Sequence, residues 1–257
     1  VKITICQPEL QTSQLLDRLR LSSSLQEGVL VEDGADDEAT NRCLSQGAVQ
    51  LLGELGSHCL GVGWGHLIGQ LVTWLEENPR PQSTVTHICP LVGTQHPARN
   101  YQSNENVRLM AQQLGASPHF LYLPALPESL EEKQLLCSTE VYRQIQAWWG
   151  EMDTALVNIG NYPSSPISPP WSGTAACSSG AHLRPAAGLL LQRGGSIIQS
   201  DQDFAIQIPL ELLKQCPHIV GVCSANTSEK ALRGALRSGI FTHIAARAEL
   251  VKSLLGQ

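Results

Sequence analysis

The sequence lacks any apolar run of the roughly 18 residues that a membrane-spanning helix requires. It also lacks the charged start followed by a short apolar stretch that marks a secretory signal peptide. Aromatic residues make up only 5% of the chain, whereas hydrophobic residues of all kinds make up 42% and charged residues 16%. This balance is typical of a globular protein and argues against disorder. The 257 residues suffice for one large α/β domain or two small ones.

An excess of basic residues is also missing. Lysine and arginine together number 17 against 23 aspartates and glutamates, and the formal net charge is −6. Proteins that bind nucleic-acid phosphates without help carry a basic patch or stripe, and this sequence has none. We therefore expect no direct contact between this chain and DNA.

The eight cysteines show no paired spacing of the C-x-x-C type. Several lie inside apolar runs, such as HCLGVG, HICPLVG and VGVCSA. This placement is typical of buried free thiols in a reducing compartment and disfavours a disulfide framework. We therefore expect a cytoplasmic protein.

Motifs that would carry catalysis or hold a cofactor are absent. There is no G-x-S-x-G nucleophile elbow and no phosphate-binding loop ending in Lys-Ser or Lys-Thr, and the histidines have no metal-ligand spacing. The acidic stretch EDGADDEA, which begins at Glu32, could form a metal or acid–base site or a solvated turn that leads into a helix. We favour the second interpretation because charge runs are usually solvated. The sequence therefore predicts no enzyme activity, no cofactor and no metal.

The dominant pattern is an alternation of apolar, strand-like segments with helical ones. Helices of 3.6-residue periodicity are expected between most of the strands. One or two of these helices are expected in SLEEKQLLCSTEVYRQIQAWWGEM. GGSIIQ and FAIQIP are expected to form a hairpin. Such alternation predicts an α/β, Rossmann-like fold with a mainly parallel sheet, helices on both faces and a small hairpin and loop insertion. Ligands of these sheets bind beyond the carboxyl ends of the strands. The expected strands are VKITI, EGVLVEDG, HCLGVG, STVTHICPLVG, HFLYLPAL, DTALVNIG, HIVGVCSA and FTHIAA.

The segment GVGWGHLIGQLVTWLEE places three glycines between an expected strand and an expected helix. Gly61, Gly63 and Gly65 could let backbone N–H groups approach an anion at the helix start, or could form a tight packing turn. His66 could donate to such an anion or be a solvated residue of the first helical turn. Trp64 could stack on a sugar or cover the core.

Lys230 also lies at the start of an expected helix that follows a strand. A lysine at this place suits a phosphate group, although a solvated side chain explains it equally well. Ser228 and Thr227 precede it as candidate helix caps.

In this order, the segments resemble the effector-binding domain of the sorbitol-operon-regulator (SorC) family of bacterial transcriptional regulators. The resemblance covers nearly the whole chain. It rests on VKITI at the start, on GVGWGHLIGQLVTWL, on HICPLVGTQ with NENVRLMAQQLGA and LPAL after it, on DTALVNIGN and on EKALRGALRSGIFTHIAARAELVKSLL. It implies one effector-binding domain over residues 1–257, preceded in the family by a helix-turn-helix domain that reads DNA and that this sequence lacks. It also implies a homo-oligomer, a dimer or tetramer, and a sugar phosphate or related small molecule as effector.

The resemblance further implies which residues line the ligand site. The Gly63–Gly65 loop and His66 would face the phosphate and Lys230 would supply positive charge. Gly93 and Thr94 would line a second loop, with Asn104 at the next helix, and Gly160 and Asn161 would form a third loop.

Two positions depart from the family pattern. The family often has a threonine at the position of Leu67 and an aspartate at the position of Pro185. A hydroxyl donor and a carboxylate acceptor are therefore missing, which predicts an unusual ligand or weak binding.

Two other functions stay open at this stage. A sugar-phosphate isomerase shares the fold class but needs a positioned carboxylate base, and Glu229 beside Lys230 is the only candidate at a strand end. An interaction domain with a degenerate pocket would explain Leu67 and Pro185.

Overall fold

The computed structural model describes residues 8–80, 83–94, 102–161 and 205–256, together with three two-residue strands between positions 184 and 198. The expected strand VKITI, the Pro- and Ser-rich loop after Tyr162, Cys6 and Cys177 lie outside the described residues.

Seven parallel strands form the central sheet, in the order β1-β10-β9-β5-β2-β3-β4. The predicted α/β, mainly parallel architecture is thereby confirmed. A short strand β6 adds antiparallel to β5, and β7 pairs with β8 in a separate two-stranded sheet. The strands are β1 (Glu27–Val31), β2 (Cys59–Val62), β3 (His87–Pro90), β4 (Ser117–Pro118), β5 (Thr154–Gly160), β6 (Arg184–Pro185), β7 (Leu190–Leu191), β8 (Ile197–Ile198), β9 (His218–Cys223) and β10 (His243–Arg247).

The helices cover both faces of this sheet. Alternate residues of each strand face opposite sides, so Leu156 packs against one layer of helices while Ala155 and Val157 pack against the other. The first layer contains α2 (Asp37–Leu55), α3 (His66–Glu77) and α4 (Ser103–Leu114). The second contains α1 (Pro8–Leu21), α6 (Glu140–Glu151), α7 (Leu210–Gln215), α8 (Glu229–Arg237) and α9 (Ala248–Leu254), and α5 (Leu130–Cys137) precedes α6 without burying any residue.

Side-chain caps explain where several helices begin. The carboxylate of Asp36 accepts a hydrogen bond from the Ala39 N–H at 2.8 Å and so starts α2, which ends at Gly56 in the left-handed conformation. Ser129 and Thr139 cap α5 and α6 in the same way, so the long apolar segment that predicted one or two helices forms two. The acidic stretch after Glu32 is therefore a turn and a helix start, as favoured above.

The strand expected in HFLYLPAL is wrong in position. The edge strand β4 comprises only Ser117 and Pro118, and the chain beyond it is irregular. A side chain replaces the missing strand neighbour, since Asn104 Nδ2 donates to the Leu121 carbonyl at 3.1 Å and Asn104 Oδ1 accepts from the Leu121 N–H at 3.0 Å.

The expected hairpin between GGSIIQ and FAIQIP is also wrong. Ile197 and Ile198 pair with Leu190 and Leu191 instead. The backbone after residue 204 runs beside the end of β3, where the Ile208 N–H donates to the Leu91 carbonyl at 2.8 Å. Apolar alternation identified these segments as extended but could not identify their partners.

The buried thiols expected from the sequence are confirmed for four cysteines of the described residues, Cys59, Cys89, Cys216 and Cys223. Cys43 is exposed and Cys137 half-buried, and all six described cysteines are free. Trp149 is 1% exposed and donates its indole N–H to the Pro90 carbonyl at 2.8 Å, so it belongs to the core.

None of the helices within the described residues is long and apolar enough to cross a membrane.

Histidines occupy the amino-terminal ends of several strands, at the edge of the sheet opposite the strand ends discussed below. His243 begins β10, is 3% exposed, and lies with its ring 5.2 Å from the ring of His218. Burial lowers the pKa of His243 below the usual 6.5 and the neighbouring His218 lowers it further, whereas Glu27 opposes the shift. The fold therefore favours the neutral form of His243.

We predict that this histidine makes the protein less stable in mild acid. A lowered pKa means that the unfolded chain binds the proton more tightly than the folded one, so its contribution to stability is present above about pH 6.5 and is lost as the pH falls below it. The free energy of unfolding in urea, measured at pH 7.5 and 5.5, should fall less in His243→Asn than in the wild type. Asparagine keeps a polar atom near Nδ1, which hydrogen-bonds to Thr242 Oγ1 at 2.8 Å. An equal fall in both proteins would contradict the assignment.

Candidate functional site

The order of the strands defines a crevice at the carboxyl edge of the sheet. From β2 the chain moves outward through β3 to β4, whereas from β5 it moves the other way through β9 to β10. The loops that follow β2 and β5 therefore leave in opposite directions and open a gap between them, which is the usual ligand site of such sheets. The Gly63–Gly65 loop lies on one side of this gap and Asn161 on the other.

The three glycines of the first loop have different roles. A Cβ on Gly61 would collide with Met152 and with Leu91, so this glycine serves core packing. The N–H of Gly63 donates to the Leu156 carbonyl at 2.9 Å and extends the pairing of β2 with β5. Gly65 has φ 134°, a conformation that side chains rarely adopt, and it starts α3 without a side-chain cap.

Gly65 therefore marks the start of α3, at the mouth of the crevice. The Gly69 N–H donates to the Gly65 carbonyl at 3.0 Å as the first bond of the helix. The preceding N–H groups of a helix have no partner inside it and carry partial positive charge. His66, the first residue of α3, is exposed and Trp64 is half-buried, whereas Leu67 is buried in the core beneath the helix and offers no polar group.

Sequence reasoning missed Asn158, which faces this loop from β5. Its side chain lies on the same side of the sheet as Leu156 and α3, and its Cγ and Nδ2 lie 3.2 Å from the place that a Cβ on Gly65 would occupy. Its Oδ1 is buried and has no hydrogen-bond partner in the part of the chain that the structure describes. The signal that could have found it is a polar residue inside the apolar strand TALVNIG.

The second loop is held by its own backbone. The Gly93 N–H donates to the Ile206 carbonyl at 2.9 Å, and the Thr94 N–H donates to the Leu123 carbonyl at 2.8 Å. Thr94 Oγ1 donates to that same Leu123 carbonyl at 3.2 Å, and the Asn104 amide is bound to Leu121 as described above. The polar groups of these residues thus stabilise the loop itself.

The third loop is tied to the start of α8. Asn161 Nδ2 donates to the Asn226 carbonyl at 2.6 Å, and Asn161 Oδ1 accepts from the Ser228 N–H at 2.9 Å. Ser228 also caps α8, so the second helical residue, Lys230, is carried next to this loop with its side chain exposed. At the adjacent end of β5, Gly160 pairs with Arg184 and Ile159 with Pro185.

Two acidic side chains of this edge, Asp33 and Glu229, are already engaged. Asp33 Oδ2 accepts from Arg247 Nη1 at 2.9 Å. Glu229 is bound by Arg233, whose hydrogen bond holds its pKa below the usual value, and it also accepts from Ser253 Oγ at 2.9 Å. Across the described ranges, no group of three or more histidine, cysteine or acidic residues could hold a metal ion. The arrangement therefore fits binding of an anionic ligand better than acid–base chemistry.

Comparison with known proteins shows which family the chain matches. Residues 8–256 match the Sugar-bind family model, which describes a sugar-binding domain. The sorbitol operon regulator of Klebsiella pneumoniae is 23% identical over 255 residues, an alignment that covers 94% of this chain and 79% of the relative. The crystal structure of the full-length sorbitol operon regulator SorC from the same organism has a TM-score of 0.85 at 21% identity and covers 99% of this chain and 84% of its own. A DeoR family transcriptional regulator from Listeria monocytogenes has a TM-score of 0.79 at 20% identity, and the match covers 95% of this chain and 99% of the regulator's chain.

We predict that Gly93 is required by the fold. A Cβ there would lie 2.5 Å from the Leu123 carbonyl oxygen and 2.9 Å from the Ala125 nitrogen, both of them backbone atoms held by hydrogen bonds. Gly93→Ala should therefore lower the free energy of unfolding by about 1–3 kcal/mol. The control is Gly53→Ala inside α2, where a Cβ meets nothing within 4 Å and should instead stabilise by about 0.5–1 kcal/mol. Equal stability of the Gly93 variant and the wild type in a denaturant titration would refute this role.

Proposed function

Since the chain belongs to the sugar-binding domain family found in SorC- and DeoR-type transcriptional regulators, we propose that it senses a phosphorylated sugar or polyol in the crevice between β2 and β5. The ligand's phosphate lies at the start of α3, and its binding modulates how the regulator binds DNA. The name of the sorbitol operon regulator makes hexitol phosphates the first candidates.

The observation that carries this proposal is Gly65 at the mouth of the crevice. A helix start without a side-chain cap, reached by a glycine with φ 134°, leaves room for a phosphate to approach the first N–H groups. Lys230 supports the same assignment because it is exposed and lies two residues after Ser228, whose N–H is bound by Asn161 of the third loop.

The remaining sequence-derived site residues divide into two groups in this proposal. Gly63, Trp64 and His66 form the loop that surrounds the phosphate. The other group shapes the walls of the crevice through the backbone bonds described above and comprises Gly93, Thr94, Asn104, Gly160 and Asn161.

We also propose that DNA is read by a helix-turn-helix domain outside residues 1–257, which act as one effector domain in the cytoplasm. The net charge of −6 supports this division because it opposes contact with phosphates of DNA. Assembly into a dimer or tetramer belongs to the same proposal. It is supported by exposed apolar side chains on α5 and α6, namely Leu130, Leu135 and Val141.

An isomerase activity is less well supported. Its candidate base, Glu229, is bound to Arg233 and Ser253, and a lowered pKa makes a carboxylate a weaker base. The relatives reported above are regulators.

We predict that a sugar phosphate raises the melting temperature far more than the same sugar without phosphate. A ligand at 100 times its Kd stabilises the folded state by about 2.7 kcal/mol, which corresponds to roughly 5–10 °C for a chain of this size. The measurement is a thermal-shift screen over hexose and hexitol phosphates, each paired with its unphosphorylated form. Equal shifts of the melting temperature within every pair would show that the protein has no binding site for the phosphate group.

We predict that Lys230 contributes to affinity but not to stability. Loss of a charge-assisted hydrogen bond costs about 1.5–3 kcal/mol of binding, so Lys230→Ala should weaken the best hit of the screen roughly 10- to 150-fold in calorimetry. Its melting temperature without ligand should match that of the wild type, because the side chain is exposed. Lys214→Ala removes an exposed lysine on α7 and serves as the matched control, which should leave the affinity unchanged.

A further inference from the structure

We infer that Asn158 is a specificity-determining residue of the effector site, whose carboxamide oxygen accepts a hydrogen bond from a ligand hydroxyl close to the phosphate. This inference rests on the proposed function, because it assumes that the phosphate lies at Gly65.

The position of Asn158 follows from the alternation of β5. Leu156 faces the core beneath α2, α3 and α4, and Asn158 is the next residue of the strand on that side. The pairing of β2 with β5 ends at Val62 and Leu156, before Asn158. The side chain of Asn158 therefore contacts the Gly63–Gly65 loop instead of the core beneath the helices. The contact with Gly65 is close, since the Cβ, Cγ and Nδ2 of Asn158 lie 3.2–3.3 Å from the ideal Cβ position of that glycine.

The orientation of the carboxamide divides its two hydrogen-bonding ends. Nδ2 is among the three atoms nearest to the ideal Cβ position of Gly65 and Oδ1 is not, so the donor end lies nearer to this position than the acceptor end does. A donor beside the start of α3 adds to the N–H groups that would hold an anion. The acceptor end, Oδ1, then lies next to the part of the sugar or polyol that carries the phosphate.

The unpaired acceptor selects the chemistry of that neighbouring group. Oδ1 of Asn158 is buried without a partner in the described part of the chain, and an unpaired buried oxygen is unfavourable. The phosphate group of a sugar phosphate has no proton to donate when it is a dianion, so this group cannot satisfy the oxygen. A sugar or polyol hydroxyl can, and a site that pairs with a hydroxyl rejects ligands without one.

Two other asparagines at this edge of the sheet do not share this property. Both ends of the Asn161 amide are bonded to the start of α8, and both ends of the Asn104 amide are bonded to Leu121. Among these three asparagines at the carboxyl edge, Asn158 is the one with a buried amide oxygen left for a ligand.

The test compares two ligands on matched variants by calorimetry. The probes are the hexitol or hexose phosphate that gives the largest thermal shift and inorganic sulfate, a tetrahedral dianion without a proton to donate, and the quantity measured is the ratio of their Kd values. Asn158→Leu keeps the size of the side chain without its polar groups and should reduce the preference for the sugar phosphate at least 10-fold, because the hydroxyl loses its acceptor. Asn161→Leu removes a structural asparagine and should weaken both ligands alike, leaving the ratio unchanged.

A second variant covers the case in which Asn158→Leu does not fold. Asn158→Ala leaves only a small cavity near Gly65 and should show the same loss of preference. An unchanged ratio in the folded variant, with the sugar phosphate still bound, would overturn the role of Asn158 and leave the proposed function standing. If no sugar phosphate of the panel binds the wild-type protein, both proposals fail.

Discussion

The junction between β2 and β5 is the contact on which the crevice and its loops depend. Its amino-terminal end is held by Asp153, whose Oδ2 accepts from the His58 N–H at 2.7 Å, and by a buried hydrogen bond between the Ser57 and Thr154 hydroxyls. Its carboxyl end is held where the Gly63 N–H meets the Leu156 carbonyl. Because the chain leaves these two strands in opposite directions, any ligand in the gap contacts residues that are far apart in sequence but rigidly joined.

The same junction explains why glycine recurs so often in one loop. Gly61 makes room for Met152 and Leu91, which bring the helix layer close to the strands. Gly65 then turns the chain sharply enough for α3 to begin at His66, two residues after Trp64. One segment thus meets a packing requirement and a conformational requirement within five residues.

Local patterns predicted the helices and parallel strands well, because their causes are local. Asp36 and Gly56 bound α2 through contacts within one turn, and the nearly continuous apolar run of β5 follows directly from having helices on both sides. Pairing partners were harder to predict. HFLYLPAL has the composition of a strand, yet Asn104 takes the backbone bonds of Leu121 from a helix 17 residues earlier.

The candidate site shows the same division. The strand-end loops were predicted, since parallel strands bring their carboxyl ends to one edge. The hydrogen bonds of individual side chains were not predicted, because they depend on contacts across the fold. Asn161 bonds to a loop 65 residues away, and the unpaired oxygen of Asn158 becomes visible only once Gly65 is placed against it.

The bonds of Asn161 have a mechanical consequence. They fasten the end of β5 to the start of α8, and α8 is in turn fastened to α9, where Ser253 meets Glu229 and the Leu254 carbonyl accepts from Arg233 at 3.5 Å. A series of hydrogen bonds therefore joins the end of β5, the start of α8 and helix α9. A displacement of Asn161 would therefore be transmitted through these hydrogen bonds to α8 and α9, which lie on the face of the sheet opposite α3.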